Sequence, residues 1–80
     1  MTRVNIQFYA ILRERTGKNQ DTIETQAKNL AELYQHLKGQ YDLPLRQEQL
    51  RVAKNDAFCP WDATFNDNDT IIFIPPVAGG

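Results

Sequence analysis

The chain contains a single cysteine, Cys59, so no intrachain disulfide can form and the cross-links that staple secreted mini-domains are missing. A reducing, cytoplasmic setting is the expectation. With only one histidine, His36, to join it, Cys59 cannot complete the usual set of three or four metal ligands, and no metal site is expected. No apolar stretch approaches the roughly 20 residues that span a bilayer, and Met1-Thr2-Arg3-Val4-Asn5 lacks a signal-peptide core. Neither export nor a membrane is predicted. Basic residues are also missing from one region: residues 1–54 carry all nine Lys and Arg with six acidic side chains, a net of +3, whereas residues 55–80 carry Asp56, Asp62, Asp67 and Asp69 alone, a net of −4. The overall charge of −1 excludes the broad basic surface that nucleic acid demands. Each aspartate alone reads as a turn residue; together they point to a basic partner.

What is present fits one small globular domain. Eighty residues, 41% hydrophobic and 24% charged, are too few for two domains and too apolar for a disordered chain. A domain of this size buries only about 60% of the surface its unfolded chain exposes, which leaves few side chains for a deep pocket. Function is therefore expected on the surface or at an end.

Val4, Ile6 and Phe8 alternate with Asn5, Gln7 and Tyr9, the period of a strand with one face on a core. Ala10 to Thr16 reads as a short helical turn stopped by Gly17, and Asp21 to Thr25 as a second, mostly polar strand. Asn29 is placed as an N-cap with Glu32 three positions on, and Leu30, Leu33, Tyr34, Leu37 and Tyr41 line one face of a main helix expected to end near Gly39. Residues 43–50 show no firm period. Leu50 to Asn55 and Ala57 to Phe58 read as short strands about an Asn55-Asp56 turn, and the polar Asn66-Asp67-Asn68-Asp69 precedes a last strand, Thr70 to Ile74. The order implies an α+β fold, a small sheet packed on one main helix.

In the last strand Ile71, Ile72, Phe73 and Ile74 are apolar on both parities, as if both faces were covered. One helix covers one face. If Ile71 and Phe73 meet it, Ile72 and Ile74 point outward together with Tyr9; either a loop covers them, or the strand is merely hydrophobic, or they form an exposed docking patch.

The sequence closes on Pro75-Pro76-Val77-Ala78-Gly79-Gly80. Proline cannot continue a ladder, so the pair is expected to end both the strand and a domain of residues 1–76, leaving residues 77–80 as a flexible tail. Four residues reach about 13 to 14 Å when extended, enough to enter a groove in another protein. Glycine at the tip lets a narrow channel close around the backbone and lets reagents reach the terminal carboxylate. That carboxylate is inert until one oxygen becomes a leaving group. Transfer of AMP from ATP achieves this, and sulfur attack on the acyl-adenylate then gives a thiocarboxylate. A bare Gly-Gly would otherwise be a frayed end; strand, double proline and Gly-Gly together argue against that.

Phe73-Ile74-Pro75-Pro76-Val77-Ala78-Gly79-Gly80 resembles the terminal motif of the ubiquitin-like sulfur carriers, the MoaD/ThiS family, and within it the small subunits of molybdopterin synthase. Weaker similarities span the chain: Leu12-Arg13-Glu14 with Gly17, the leucine-spaced helix, and Val52-Ala53-Lys54-Asn55. The resemblance implies a β-grasp fold. It also implies that Gly80 is adenylated by an adenylyltransferase akin to ubiquitin-activating enzymes, which consumes the ATP, and is converted to a thiocarboxylate. Sulfur then passes to cyclic pyranopterin monophosphate inside the large synthase subunit, two small subunits flanking a dimer of large ones. The carrier itself binds no cofactor, and catalytic residues are expected on the partner. Gly79, Ala78, Val77, Pro76, Pro75, Ile74, Ile72, Tyr9 and Arg13 are the expected partner-binding residues; Arg13 taken alone reads first as a plain surface charge.

Two departures from the family pattern stand out. Asp67-Asn68-Asp69 replaces Asp-Gly-Asp, which is benign if Asn68 adopts the left-handed conformation, and Lys54 takes the place of an apolar strand residue. Cys59 is expected to be a buried structural thiol, His36 a solvated ring beside the helix stripe, and Trp61 a cap on the core edge. A thiamin-pathway carrier, a ubiquitin-like protein modifier and a ubiquitin-like binding module are the other functions compatible with this tail.

Overall fold

Alternation becomes a strand once one face is buried. In the computed structural model, which describes residues 1–76, β1 (Thr2–Phe8) sends Val4, Ile6 and Phe8 into the core. α1 (Ala10–Thr16) follows and stops at Gly17, whose φ of 74° lets its N–H reach the Arg13 carbonyl at 2.9 Å. β2 (Gln20–Thr25) returns antiparallel to β1, with Ile23 opposite Val4.

α2 (Leu30–Tyr41) begins as its sequence predicts. The Asn29 side chain accepts from the Glu32 N–H at 2.9 Å, and Glu32 Oε1 accepts in turn from the Lys28 N–H at 3.0 Å. The end differs from expectation. The helix runs through Gly39 to Tyr41 and is capped by Asp42 at φ 54°, whose N–H donates to the Lys38 carbonyl. Glycine weakens a helix by about 1 kcal/mol without ending it, and the turn beyond Gly39 is held by Tyr41. That ring meets Phe8 edge-on at 5.8 Å, and its hydroxyl donates to Asp21 Oδ2 at 2.7 Å. The bond from Tyr41, with Lys18 Nζ at 3.2 Å, holds the Asp21 carboxyl below its ordinary range, and burial pushes the Tyr41 hydroxyl up.

Residues 43–50 hold a short 3-10 turn, Gln47–Gln49, between two single anchors, Leu43 and Leu50, both buried. Single anchors have no period to detect. β3 (Arg51–Lys54) and β4 (Ala57–Phe58) form a hairpin whose turn residues, Asn55 and Asp56, both have positive φ, at 51° and 72°. β5 (Thr70–Ile74) pairs parallel with β1 and antiparallel with β3, so the order across this mixed sheet is β2-β1-β5-β3-β4.

Leu12 of α1 joins Leu30, Leu33, Tyr34 and Leu37 of α2 in one cluster with Val4, Ile6, Phe8, Ile71 and Phe73. Both helices therefore cover the same sheet face, rather than one helix alone. Trp61 closes the edge of this core as expected, stacking on Phe73 at 5.9 Å and 9°, with Tyr34 tilted against both rings. Cys59 corrects its expectation: it is partly buried at the core margin, because β4 is a two-residue edge strand that leaves its flank open.

The two departures from the family pattern resolve locally. Asn68 takes φ 70°, and its N–H donates to the Arg3 carbonyl at 2.7 Å. Lys54, opposite Ile71 on the helix side of the sheet, reaches out of it to give its ammonium to the Thr64 carbonyl at 2.8 Å.

Candidate functional site

β5 separates two kinds of apolar residue. Ile71 and Phe73 are fully buried, whereas Ile72 and Ile74 are partly exposed on the opposite face. Pro75 continues the inward parity and is buried, and Pro76 is exposed. A residue without an N–H cannot extend the ladder, so the chain leaves the sheet here. Val77, Ala78, Gly79 and Gly80 lie outside the described residues.

The register builds the outer face around Ile72. It lies between Gln7 of β1 and Ala53 of β3, Ala53 pairs onward with Phe58 of β4, and Ile74 lies opposite Arg51. Tyr9 joins them by donating its hydroxyl to Gln7 Oε1 at 3.1 Å. Among the described residues neither a helix nor a loop covers this surface: Phe58 is 65% exposed and Tyr9 47%. Ile72 and Ile74 are partly exposed on this face, which sets aside a covering loop and leaves a merely hydrophobic strand and a docking patch as the two readings.

Arg13, exposed in the last turn of α1, borders a shallow depression with Gln7, Tyr9 and Gln20. The fold thus brings Tyr9 and Arg13 together at one side of the outer face, with Ile72 and Ile74 along its middle and Pro75 and Pro76 following at the end of β5. Phe58 and Arg51 belong to the same surface but were not singled out by sequence. The arginine guanidinium lies 5.4 Å from the centre of the Phe58 ring, and both residues line a groove with Ile74, Pro75 and Pro76. For Phe58 part of the signal was local, and the β3–β5 pairing supplied the rest. A two-residue turn at Asn55-Asp56 pairs Ala53 with Phe58, which places Phe58 on the parity of Ile72.

The acidic residues do not gather here. Asp67 accepts from the Arg3 N–H at 2.9 Å, and Asp69 accepts from Asn55 Nδ2 at 2.9 Å and the Asn66 N–H at 2.8 Å. Those bonds hold the Asp69 carboxyl below its ordinary range, the Asn55 amide contributing most. Both aspartates precede β5, whereas Pro75 follows it. Asp67 and Asp69 are structural turn residues at the opposite end of β5 from the tail root, as each reads singly. His36 is exposed, as expected, with Nδ1 at 3.4 Å from Thr25 Oγ1. Among the described residues no group of three His, Cys, Asp or Glu could hold a metal ion, and no helix is long and apolar enough to cross a membrane.

Known proteins place this geometry. The chain is 30% identical over 80 residues to the molybdopterin synthase sulfur carrier subunit of Escherichia coli strain K12, covering 96% of this chain and 99% of that protein. Among solved structures it is similar to the complex of subunits 1 and 2 of the molybdopterin-converting factor from Helicobacter pylori, at 25% identity and a TM-score of 0.68, covering 99% of this chain and 100% of the other. The small archaeal modifier SAMP1 of Haloferax volcanii shares the fold at a TM-score of 0.78 and 18% identity, with 98% and 99% of the two chains covered. The architecture is the ubiquitin-like β-grasp. Matched by the ThiS family model over residues 6–80, the chain belongs to the ThiS family, the MoaD/ThiS group of ubiquitin-like sulfur carriers.

Proposed function

We propose that this chain is the sulfur-carrying small subunit of a molybdopterin synthase, and that Gly80 is its working residue. A Gly80 carboxylate oxygen attacks the α-phosphorus of ATP in an activating adenylyltransferase, releasing pyrophosphate and leaving an acyl-adenylate. Hydrosulfide-level sulfur then attacks the carbonyl carbon and expels AMP, giving a thiocarboxylate. In the large subunit that sulfur takes the place of an oxygen on a side-chain carbon of cyclic pyranopterin monophosphate, the carbon–oxygen bond breaking as the carbon–sulfur bond forms, and water then cleaves the acyl–sulfur bond, leaving the sulfur on the pterin and restoring the carboxylate. Catalytic acids and bases belong to the large subunit, and ATP to the activating enzyme; the carrier needs no cofactor of its own. The setting is the cytoplasm, and the assembly is two small subunits on a dimer of large ones.

The observation that carries this reading is the open apolar face of Tyr9, Ile72, Ile74 and Phe58 beside the point where Pro75 and Pro76 end β5. A carrier needs a handle next to its reactive end, and an exposed apolar patch provides one. The names of its relatives agree: the Escherichia coli protein is a molybdopterin synthase sulfur carrier subunit, and the Helicobacter pylori structure is a complex of two converting-factor subunits. The test is the intact mass of the chain after incubation with its cognate activating enzyme, ATP and a sulfide donor. Replacement of one oxygen by sulfur is expected, and an unchanged mass contradicts the proposal.

A further inference from the structure

The outer sheet face carries few charges among the described residues, and one of them, Arg51, has no acidic residue facing it in the strand register. Arg3 and Glu24 lie directly opposite one another across β1 and β2, at the end away from the tail root. Arg51 lies among the apolar groups instead, opposite Ile74 and over the Phe58 ring at 5.4 Å. The ion pairs among the described residues are Lys18 with Asp21 and Arg46 with Glu48, so no carboxylate there pairs with Arg51. Glu48 borders the same groove but lies 3.9 Å from Arg46.

Stacking on an aromatic ring holds a guanidinium in place while leaving its N–H edge available, which favours planar, two-point recognition of an anion. Any surface that covers Phe58 must also take water from Arg51. A charge desolvated without a partner is strongly unfavourable, whereas a bidentate carboxylate restores both charge balance and hydrogen bonds. Resting on the docking reading above, we infer that the large synthase subunit places an aspartate or glutamate carboxylate against Arg51 when its apolar surface covers Phe58. Arg51 is then a specificity residue: it admits a partner with an acid-fringed apolar surface and rejects one that is apolar alone or fringed with bases.

The test is calorimetric titration of the full chain with the purified cognate large subunit, comparing the native sequence with Arg51→Glu, Arg51→Lys and Phe58→Ala at low and high salt. Arg51→Glu is expected to bind at least about thirtyfold more weakly and Arg51→Lys roughly fivefold more weakly, since an ammonium cannot make the two-point contact. Changing one interfacial Asp or Glu of the large subunit to Lys should restore binding to Arg51→Glu. Thermal unfolding of each variant verifies that the domain is folded. Native-like binding by Arg51→Glu alongside weakened binding by Phe58→Ala overturns the carboxylate pairing and leaves the docking face standing. Native-like binding by both variants removes the docking face as well. Failure of every charge reversal on the large subunit to rescue Arg51→Glu also overturns the pairing.

Discussion

Neighbouring residues of β5 should separate folding from docking. Phe73 is fully buried, 5.2 Å from the Tyr34 ring and stacked on Trp61, so Phe73→Ala leaves a cavity at the centre of the aromatic cluster. Truncations of this kind cost about 3–5 kcal/mol. A domain of 80 residues has a total stability of roughly 4–12 kcal/mol, so the variant should lose a large fraction of it. Ile72 is one residue away and points to the open face. Ile72→Thr keeps the β-branch that suits a strand, removes only partly exposed apolar surface, and should cost under about 1 kcal/mol. Its effect should appear in binding, at roughly tenfold weaker affinity for the large synthase subunit. Urea denaturation followed by Trp61 fluorescence gives the first quantity, and calorimetric titration the second. If Ile72→Thr lowers the urea midpoint as far as Phe73→Ala does, the outer face is not open. If it binds like the native chain, that face is not the handle.

Two further changes probe the framework. Tyr34 donates its hydroxyl to the Leu45 carbonyl at 2.6 Å, so Tyr34→Phe should cost about 1–2 kcal/mol in urea denaturation by leaving that acceptor unpaired; no loss would contradict the bond. Asp69 is held below its ordinary carboxyl value of 3.8 by Asn55 and Asn66, so its folded pKa lies under its unfolded one. Its stabilisation is then full above that ordinary value and is lost as pH falls through the folded one. Asp69→Asn, which keeps an acceptor but cannot titrate, should narrow its Tm deficit against the native chain as pH drops from about 6 to about 2; a constant deficit would contradict the linkage.

The features legible in the sequence were those written in local periods and caps. Alternation over Val4 to Phe8, the Asn29 and Glu32 cap, the Asn55-Asp56 turn and the two-sided apolar β5 all survive in the structure because each is set by residues near in sequence. The overrun of α2 past Gly39 was not legible. It depends on Tyr41 meeting Phe8 and Asp21, partners 33 and 20 positions away in sequence, which no local propensity encodes. Leu43 and Leu50 escaped for the same reason, as anchors without a period. Within the candidate site Tyr9, Ile72 and Ile74 followed from parity alone. Phe58 and Arg51 needed the pairing of β3 with both β4 and β5, which no local pattern encodes.

The most direct measurement extends the chain. A variant with uncleavable residues after Gly80 keeps every contact described for residues 1–76 but buries the terminal carboxylate in a peptide bond. Expressed in cells that lack the native copy, it should fold and yet restore no molybdoenzyme activity, while the unextended chain restores it in full. Equal activity from the extended chain would contradict the assignment of Gly80 as the sulfur-bearing end.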